Sequence, residues 1–189
     1  MEAVLRIVFS YSGGYNYLHR QICSWFRQMI ETKPEAYLYY LDDLCRDGLI
    51  NKYPLFSSSE KISRLALEKE LYYLLVSYPE HVPYNVVEVA TKQGNLKTLR
   101  WAEKNGHEVG DNCFRQAVEA GHYHILEWLT EMDYEGCDDL FWVAAYVGNV
   151  QMLEYLEENG YYRGDEESIC EIAAEKGHIQ VLEWYLDQG

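Results

Sequence analysis

Basic residues are scarce in this chain: 16 Lys and Arg stand against 31 Asp and Glu, a formal net charge of −15. The deficit is concentrated in residues 84–189, which hold 7 basic and 21 acidic side chains, against 9 and 10 in residues 1–83. A surface of that sign repels phosphate backbones, so no nucleic-acid partner is expected for the C-terminal part. Acid in such excess either solvates helix faces or complements a basic protein partner, and both readings stand. Paired cysteines are lacking too. The five cysteines (Cys23, Cys45, Cys113, Cys137 and Cys170) are odd in number, and no two are spaced C-x-x-C. That argues against a disulfide framework or a zinc ribbon, and for reduced thiols in the cytoplasm or nucleus. Long apolar runs are missing as well. The start, "MEAVLRIVFSYSGG", has an acid at position 2, no basic stretch before its apolar run and no small-residue cleavage site. It fits neither a signal peptide nor a membrane span, so an intracellular chain with no membrane association is expected. Core-forming residues are plentiful. The chain is 48% apolar and 15% aromatic, with its 18 tyrosines spread along it, so ordered structure is expected.

The most informative feature present is self-similarity. Four segments align without gaps: "NVVEVATKQGNLKTLRWAEKNG" (85–106), "NCFRQAVEAGHYHILEWLTEMD" (112–133), "DLFWVAAYVGNVQMLEYLEENG" (139–160) and "SICEIAAEKGHIQVLEWYLDQG" (168–189). Their interior glycines, Gly94, Gly121, Gly148 and Gly177, are 27, 27 and 29 residues apart, and the rings at Trp101, Trp128, Tyr155 and Trp184 keep that spacing.

Each segment carries helix start and stop signals. Asn85, Asn112, Asp139 and Ser168 are N-cap residues by type, whose side-chain oxygen can accept a bond from a free N–H of the first turn. Glu88 and Glu171 stand three residues further on, at the capping-box position. Ala90, Ala117, Ala144 and Ala173 hold one small-residue position, where a neighbouring helix can approach closely. The interior glycine ends the first helix as a left-handed C-cap. Asn95, His122, Asn149 or His178 then opens a second helix. In it, Ile125, Leu126 and Leu129, or Val181, Leu182 and Tyr185, form one apolar face, while Glu127, Glu154 and Glu183 lie opposite. Such a unit cannot bury its apolar face alone, and stacked units share a core. Each inward Trp or Leu is worth roughly 1.5–3 kcal/mol of burial.

These residues resemble the ankyrin repeat, over Asn85 to Gly189. "AAEKGHIQVLEWYLDQG" is close to the second half of that family's repeat, although no unit has its T-P-L-H tetrapeptide and the period falls short of the family's roughly 33 residues. The connections "HEVGD", "YEGCD" and "YYRGDEE" are expected to be tight loops, with strand content near zero. The resemblance implies an all-α, ankyrin-type helical solenoid and a non-enzymatic protein–protein interaction module.

Upstream, residues 32–83 are expected to form a helical cap or divergent half-repeat. "TKPE" starts a helix that stops at Gly48. A second helix is expected from near Ser59 to just before Pro79, with Ile62 and Leu65 matching Leu96 and Leu99. Residues 1–31 are expected to form a helical segment, of which residues 4–30 resemble an F-box, with Ile22, Cys23 and Trp25 where that family docks a Skp-type adaptor of a cullin ubiquitin ligase. F-box-like segments followed by short ankyrin repeats resemble proteins of protists and large DNA viruses, which would place the chain in a host cell if it is viral. The two readings of this segment are an F-box-like substrate adaptor and plain helices covering the first repeat.

"GHYHILE" could pass for a metal motif, but His122 follows the turn glycine and reads as a capping or loop-bonding residue. His124 is expected on a solvent face, pointing away from it. No third ligand converges, so no metal and no other cofactor is expected. The carboxylates recur on outer faces, no serine sits in a nucleophile elbow, and "YSGGYNY" lacks a phosphate-loop lysine, so no enzyme is expected. By subtraction, the partner face is the last turn of each first helix plus loops: Lys92, Gln93, Glu119, Ala120, Trp142, Tyr146, Val147, Tyr161, Tyr162, Glu175 and Lys176. Trp142 either packs between units or joins an aromatic patch with Tyr146. The last repeat has no polar cap after it, so self-association through Val181 and Tyr185 is a further expectation.

Overall fold

A computed structural model describes residues 34–48 and 59–188. Ile22, Cys23 and Trp25 lie outside the described residues. Regular structure among the described residues is helical, with no strand. The chain divides between Pro83 and Tyr84 into two compact units.

In the first unit, α1 (Pro34–Arg46) and α2 (Ser59–Glu68) both pack against the short α3 (Tyr72–Val76), and a 3-10 turn (Pro79–His81) follows. Leu38, Leu41, Leu44, Ala66, Leu67, Leu74 and Leu75 are buried. Leu71 offers α3 no side-chain cap. Asp42 of α1 supplies one, its Oδ1 accepting from the Leu74 N–H at 2.7 Å.

The single helix expected from Ser59 to just before Pro79 is broken. Glu70 adopts a left-handed φ of 59°. The Glu70 N–H donates to Leu67 O, and the Leu71 N–H reaches back to Ala66 O at 2.8 Å, closing a Schellman turn. "ALEKELYYLLV" consists of helix formers with no glycine to mark the stop, so periodicity runs the two helices together. The turn also corrects the register. Ala66 takes the place of Ala90, and Leu74 and Leu75 correspond to Thr98 and Leu99, whereas Leu65 is exposed.

The second unit holds four helix pairs: α4 (Val86–Lys92) with α5 (Leu96–Lys104), α6 (Asp111–Ala120) with α7 (Tyr123–Glu131), α8 (Leu140–Val147) with α9 (Val150–Glu158), and α10 (Glu166–Lys176) with α11 (Ile179–Gln188). First helices pack in a row, α4 on α6, α6 on α8 and α8 on α10. Phe114, Ile125, Leu126, Leu129, Phe141, Met152, Leu153 and Leu156 fill the core between layers. At each pair's turn the residue after the glycine bonds back to the small-residue position: Asn95 to Ala90 O, His122 to Ala117 O, Asn149 to Ala144 O and His178 to Ala173 O. All four alanines are fully buried.

Neighbouring units are locked at these same turns. The His122 Nε2–H donates to Lys92 O of the preceding unit at 2.9 Å, and that of His178 donates to Tyr146 O at 3.0 Å. Each ring lies on the preceding unit's glycine, so a Cβ at Gly94 would sit 2.8 Å from the His122 ring, and one at Gly148 would sit 2.5 Å from His178 Nδ1. His122 therefore makes no side-chain cap on α7. Asn95 and Asn149 do cap, accepting from Thr98 N at 3.1 Å and Met152 N at 3.0 Å. The expected metal-motif geometry also changes. His122 precedes its helix in a non-helical conformation, so helical i, i+2 divergence does not apply. The His124 Nε2–H donates to Gly94 O at 2.8 Å, and both histidines hold one turn.

Several start signals shift. α6 begins at Asp111 behind Gly110, which leaves Asn112 inside the helix. α10 begins at Glu166, and Asp165 is its cap, accepting from the Ser168 N–H at 3.1 Å and hydroxyl at 2.6 Å. Those bonds lower the Asp165 pKa, so this cap is complete above the unfolded carboxylate range and is lost as the pH falls through the lowered value. Asn85 and Asp139 hold the N-cap position without a side-chain bond to the helix start. Glu88 reaches forward to Lys92 at 2.8 Å and forms no capping box.

Glycine and its ring neighbour can be separated by mutation. Gly148→Ala should lose about 1–2 kcal/mol for a left-handed alanine and more for displacing the His178 ring. Gly160→Ala, with open space around its Cβ, should lose the backbone part alone. Asp133 (φ 59°) occupies the position of Gly106 and Gly160, so Asp133→Gly should gain about 0.5–1 kcal/mol. Urea denaturation of the three variants checks this; equal losses at 148 and 160 would show that the ring contact contributes nothing.

Candidate partner-binding surface

The last turn of each first helix must be tight enough to end in a left-handed residue, which leaves the two positions before it pointing off the core. One helical turn earlier, a third position shares the face. Along the row this face reads Glu88 and Lys92, Arg115 and Glu119, Trp142 and Tyr146, Glu171 and Glu175. All eight are exposed, as are Ala120 and Lys176, while Gln93 and Val147 are half-buried.

Adjacent units meet along this strip. The Glu119 carboxylate acts on Lys92 and, after the Glu88 hydrogen bond, helps raise its pKa. Lys176 Nζ lies 4.5 Å above the Tyr146 ring. The third unit departs from its neighbours. Where α4 pairs Glu88 with Lys92, α8 stacks Trp142 on Tyr146, with centroids 5.4 Å apart and planes 19° from parallel. The two residues are 38% and 39% exposed, so neither is buried between units. Arg115 is held by Asp139 at 2.6 Å.

Tyr161 and Tyr162 belong elsewhere. The Tyr161 hydroxyl is 2.6 Å from Thr130 Oγ1, near the C-terminal end of a second helix. Tyr161 itself follows the C-terminal end of α9, one helix length, about 13 Å, from the turn where Tyr146 sits. Tyr162 is exposed beside it. The aromatic residues expected in one patch thus form two. Next to the second, the Arg163 guanidinium lies 5.5 Å from the Trp184 ring and 5.4 Å from Tyr185, bracing the last unit. On that unit Ile179 and Leu186 are exposed, while Val181 and Tyr185 are buried.

A cleft of about 590 Å³ opens at the other end of the first helices, lined by Glu88, Glu108, Asp111, Arg115, Gln116 and Cys137 among others. Sequence reasoning missed it because its walls come from two helix starts and two connections. It also missed the cation over Tyr146. The repeat register held that signal, since Lys176 is the residue before the next unit's glycine.

The chemistry of the described side chains is quiet. Burial pushes the Cys45, Cys113, Cys137 and Cys170 thiols up, Cys137 to about 11, with the Asp139 hydrogen bond and charge adding to it against Arg115. Tyr155 and Tyr185 are each pushed up to about 12, chiefly by burial. Among the described residues no three His, Cys, Asp or Glu side chains converge as metal ligands, and no helix is long and apolar enough to cross a membrane. Comparison with family models, curated proteins and solved structures found no match to this chain.

The Cys137 environment has a measurable consequence. At pH 8 a thiol with a pKa of about 11 is ionised in roughly one molecule in a thousand. Iodoacetamide labelling of Cys137, followed peptide by peptide, should be slow there and rise about tenfold per pH unit up to pH ~11. A plateau near pH ~9 would show an ordinary thiol.

Proposed function

We propose that this chain is a non-enzymatic protein-binding module, an ankyrin-type helical solenoid that takes a basic protein partner on the strip of first-helix ends. One observation carries the reading: the stacked and exposed Trp142–Tyr146 pair, set in a row whose equivalent positions are otherwise charged. An aromatic anchor ringed by charge is the composition of an interface hot spot, where large rings bury area at little conformational cost. The row arrangement of α4, α6, α8 and α10, joined by turn-to-turn histidine bonds, supports the solenoid reading. The acid excess of residues 84–189 supports a basic partner. Thiols with raised pKa values are poor nucleophiles, which favours binding over covalent chemistry. The ubiquitin-ligase adaptor reading rests on Ile22, Cys23 and Trp25, outside the described residues, so no structural observation favours it.

Because the aromatic residues fall in two patches, each is tested alone. Tyr146→Ala should lose the proteins captured by the wild-type chain in a pulldown from source cells, with a melting temperature within a few degrees of wild type. Tyr162→Ala should retain them. Undiminished capture by Tyr146→Ala would remove the strip as the partner face.

A further inference from the structure

The third unit's aromatic stack already binds a cation. Lys176, from the following unit, places its ammonium 4.5 Å from the centre of the Tyr146 ring. The other ring of the stack, Trp142, is 38% exposed. Indole is the strongest cation-binding aromatic side chain, and a flat guanidinium can lie on it while its in-plane N–H groups remain available. Carboxylates occupy the strip on either side of the stack. Glu119 occupies the equivalent strip position one unit before, and Glu171 and Glu175 occupy the strip one unit after; all three are exposed. Arg115, at the strip position equivalent to Trp142 one unit before, is engaged with Asp139 at 2.6 Å. A unit with 21 acidic and 7 basic residues also draws cations toward this face from a distance.

We propose that Trp142 is an arginine-recognition site, which stacks the guanidinium of an arginine in an extended basic segment of a partner protein while Glu171 or Glu175 accepts its N–H groups. The proposal rests on the strip being the partner face and adds to it the side chain that is read. Arginine is favoured over lysine by shape: an ammonium cannot cover an indole and keep two in-plane donors for a carboxylate. Lys176 acts as an internal competitor that keeps the Tyr146 half of the stack occupied.

The test uses the full chain and three fluorescein-labelled nonapeptides that alternate glycine with arginine, lysine or citrulline, read by fluorescence anisotropy. The arginine peptide should bind several-fold tighter than the lysine peptide, and the citrulline peptide should not bind. Trp142→Ala should weaken arginine-peptide binding by roughly 3- to 30-fold, the range of an exposed to partly desolvated cation–π contact. Lys176→Gln should tighten it. If Trp142→Ala does not fold, the Trp142 indole N–H resonance of the wild-type chain, assigned with Trp142→Phe, should shift on titration with the arginine peptide and not with the citrulline peptide. Equal binding of the arginine and lysine peptides, indifferent to Trp142, would reduce the effect to general acid attraction and overturn the proposal. So would an unmoved Trp142 resonance at saturating peptide. Should no peptide bind while Tyr146→Ala still abolishes partner capture, the arginine site falls and the strip survives as the partner face. Should capture also ignore Tyr146, both fall.

Discussion

The contact between a histidine ring and the preceding unit's glycine sets the spacing of the second unit. His122 lies against Gly94 and His178 against Gly148, each close enough that a Cβ would collide with the ring. The imidazole Nε2–H then reaches the carbonyl two residues before that glycine. A last-turn carbonyl has no intrahelical partner, so the bond satisfies a group that the helix itself leaves open. Glycine is required here twice over, for its positive φ and for the missing side chain. Asn149 takes the same place against Gly121 more loosely, 3.6 Å from where a Cβ would stand, and turns its oxygen inward to cap α9. One sequence position thus either ties two units or caps one helix, according to whether the side chain is long enough to do the first.

Two strip residues, Tyr146 and Lys92, are held by that lock directly. Tyr146 carries the carbonyl that His178 binds, so the last turn of α8 is fixed to the following unit by its backbone. Lys176 lies one residue before the glycine that precedes His178, which explains how its ammonium comes to rest over Tyr146. Lys92 has the same double role, its carbonyl bound by His122 and its side chain paired with Glu88. A partner that meets the side chains therefore meets residues whose backbone cannot retreat, and little ordering cost remains on binding.

Most of the helical pairs were legible because their signals are local. In all four pairs the glycine before the polar residue that opens the second helix marks a left-handed turn, and an alanine four residues earlier marks the tight packing beside it. What the sequence concealed are turns that dispense with glycine. Glu70 and Asp133 adopt the same positive φ, stabilised by the same pair of backbone bonds, because the helices they join are already fixed by burial of Leu67 and Leu74 in one case and of Leu129 in the other. Tertiary packing there outweighs a left-handed cost of about 1–2 kcal/mol. Helix starts were misplaced for a related reason. Asn112 and Ser168 have the right side chain for a cap, but Gly110 and Asp165 stand where the connection enters the helix, and entry geometry decides which residue caps. Of the candidate surface, exposure of the strip followed from the repeat, whereas the division of its aromatic residues did not. Tyr161 and Tyr146 are near in sequence yet sit at opposite ends of a helix pair, a separation that only the direction of α9 reveals.

The third unit shows how such a scaffold acquires chemistry without disturbing its spine. In α4 the strip positions four apart hold Glu88 and Lys92, a pair that satisfies itself and offers little to a partner. In α8 the same two positions hold Trp142 and Tyr146, which stack on each other and remain exposed. Both pairs are compatible with the buried alanine, the left-handed turn and the histidine lock, since none of those touches the outward face. The spine therefore constrains the inner positions and the turn, and leaves the outer positions free to differ from unit to unit. A row of interchangeable outward pairs on a fixed backbone can read a linear sequence of side chains. In this row the third unit is the one that places two rings where α4 carries an ion pair, and the proposed partner face rests on that difference.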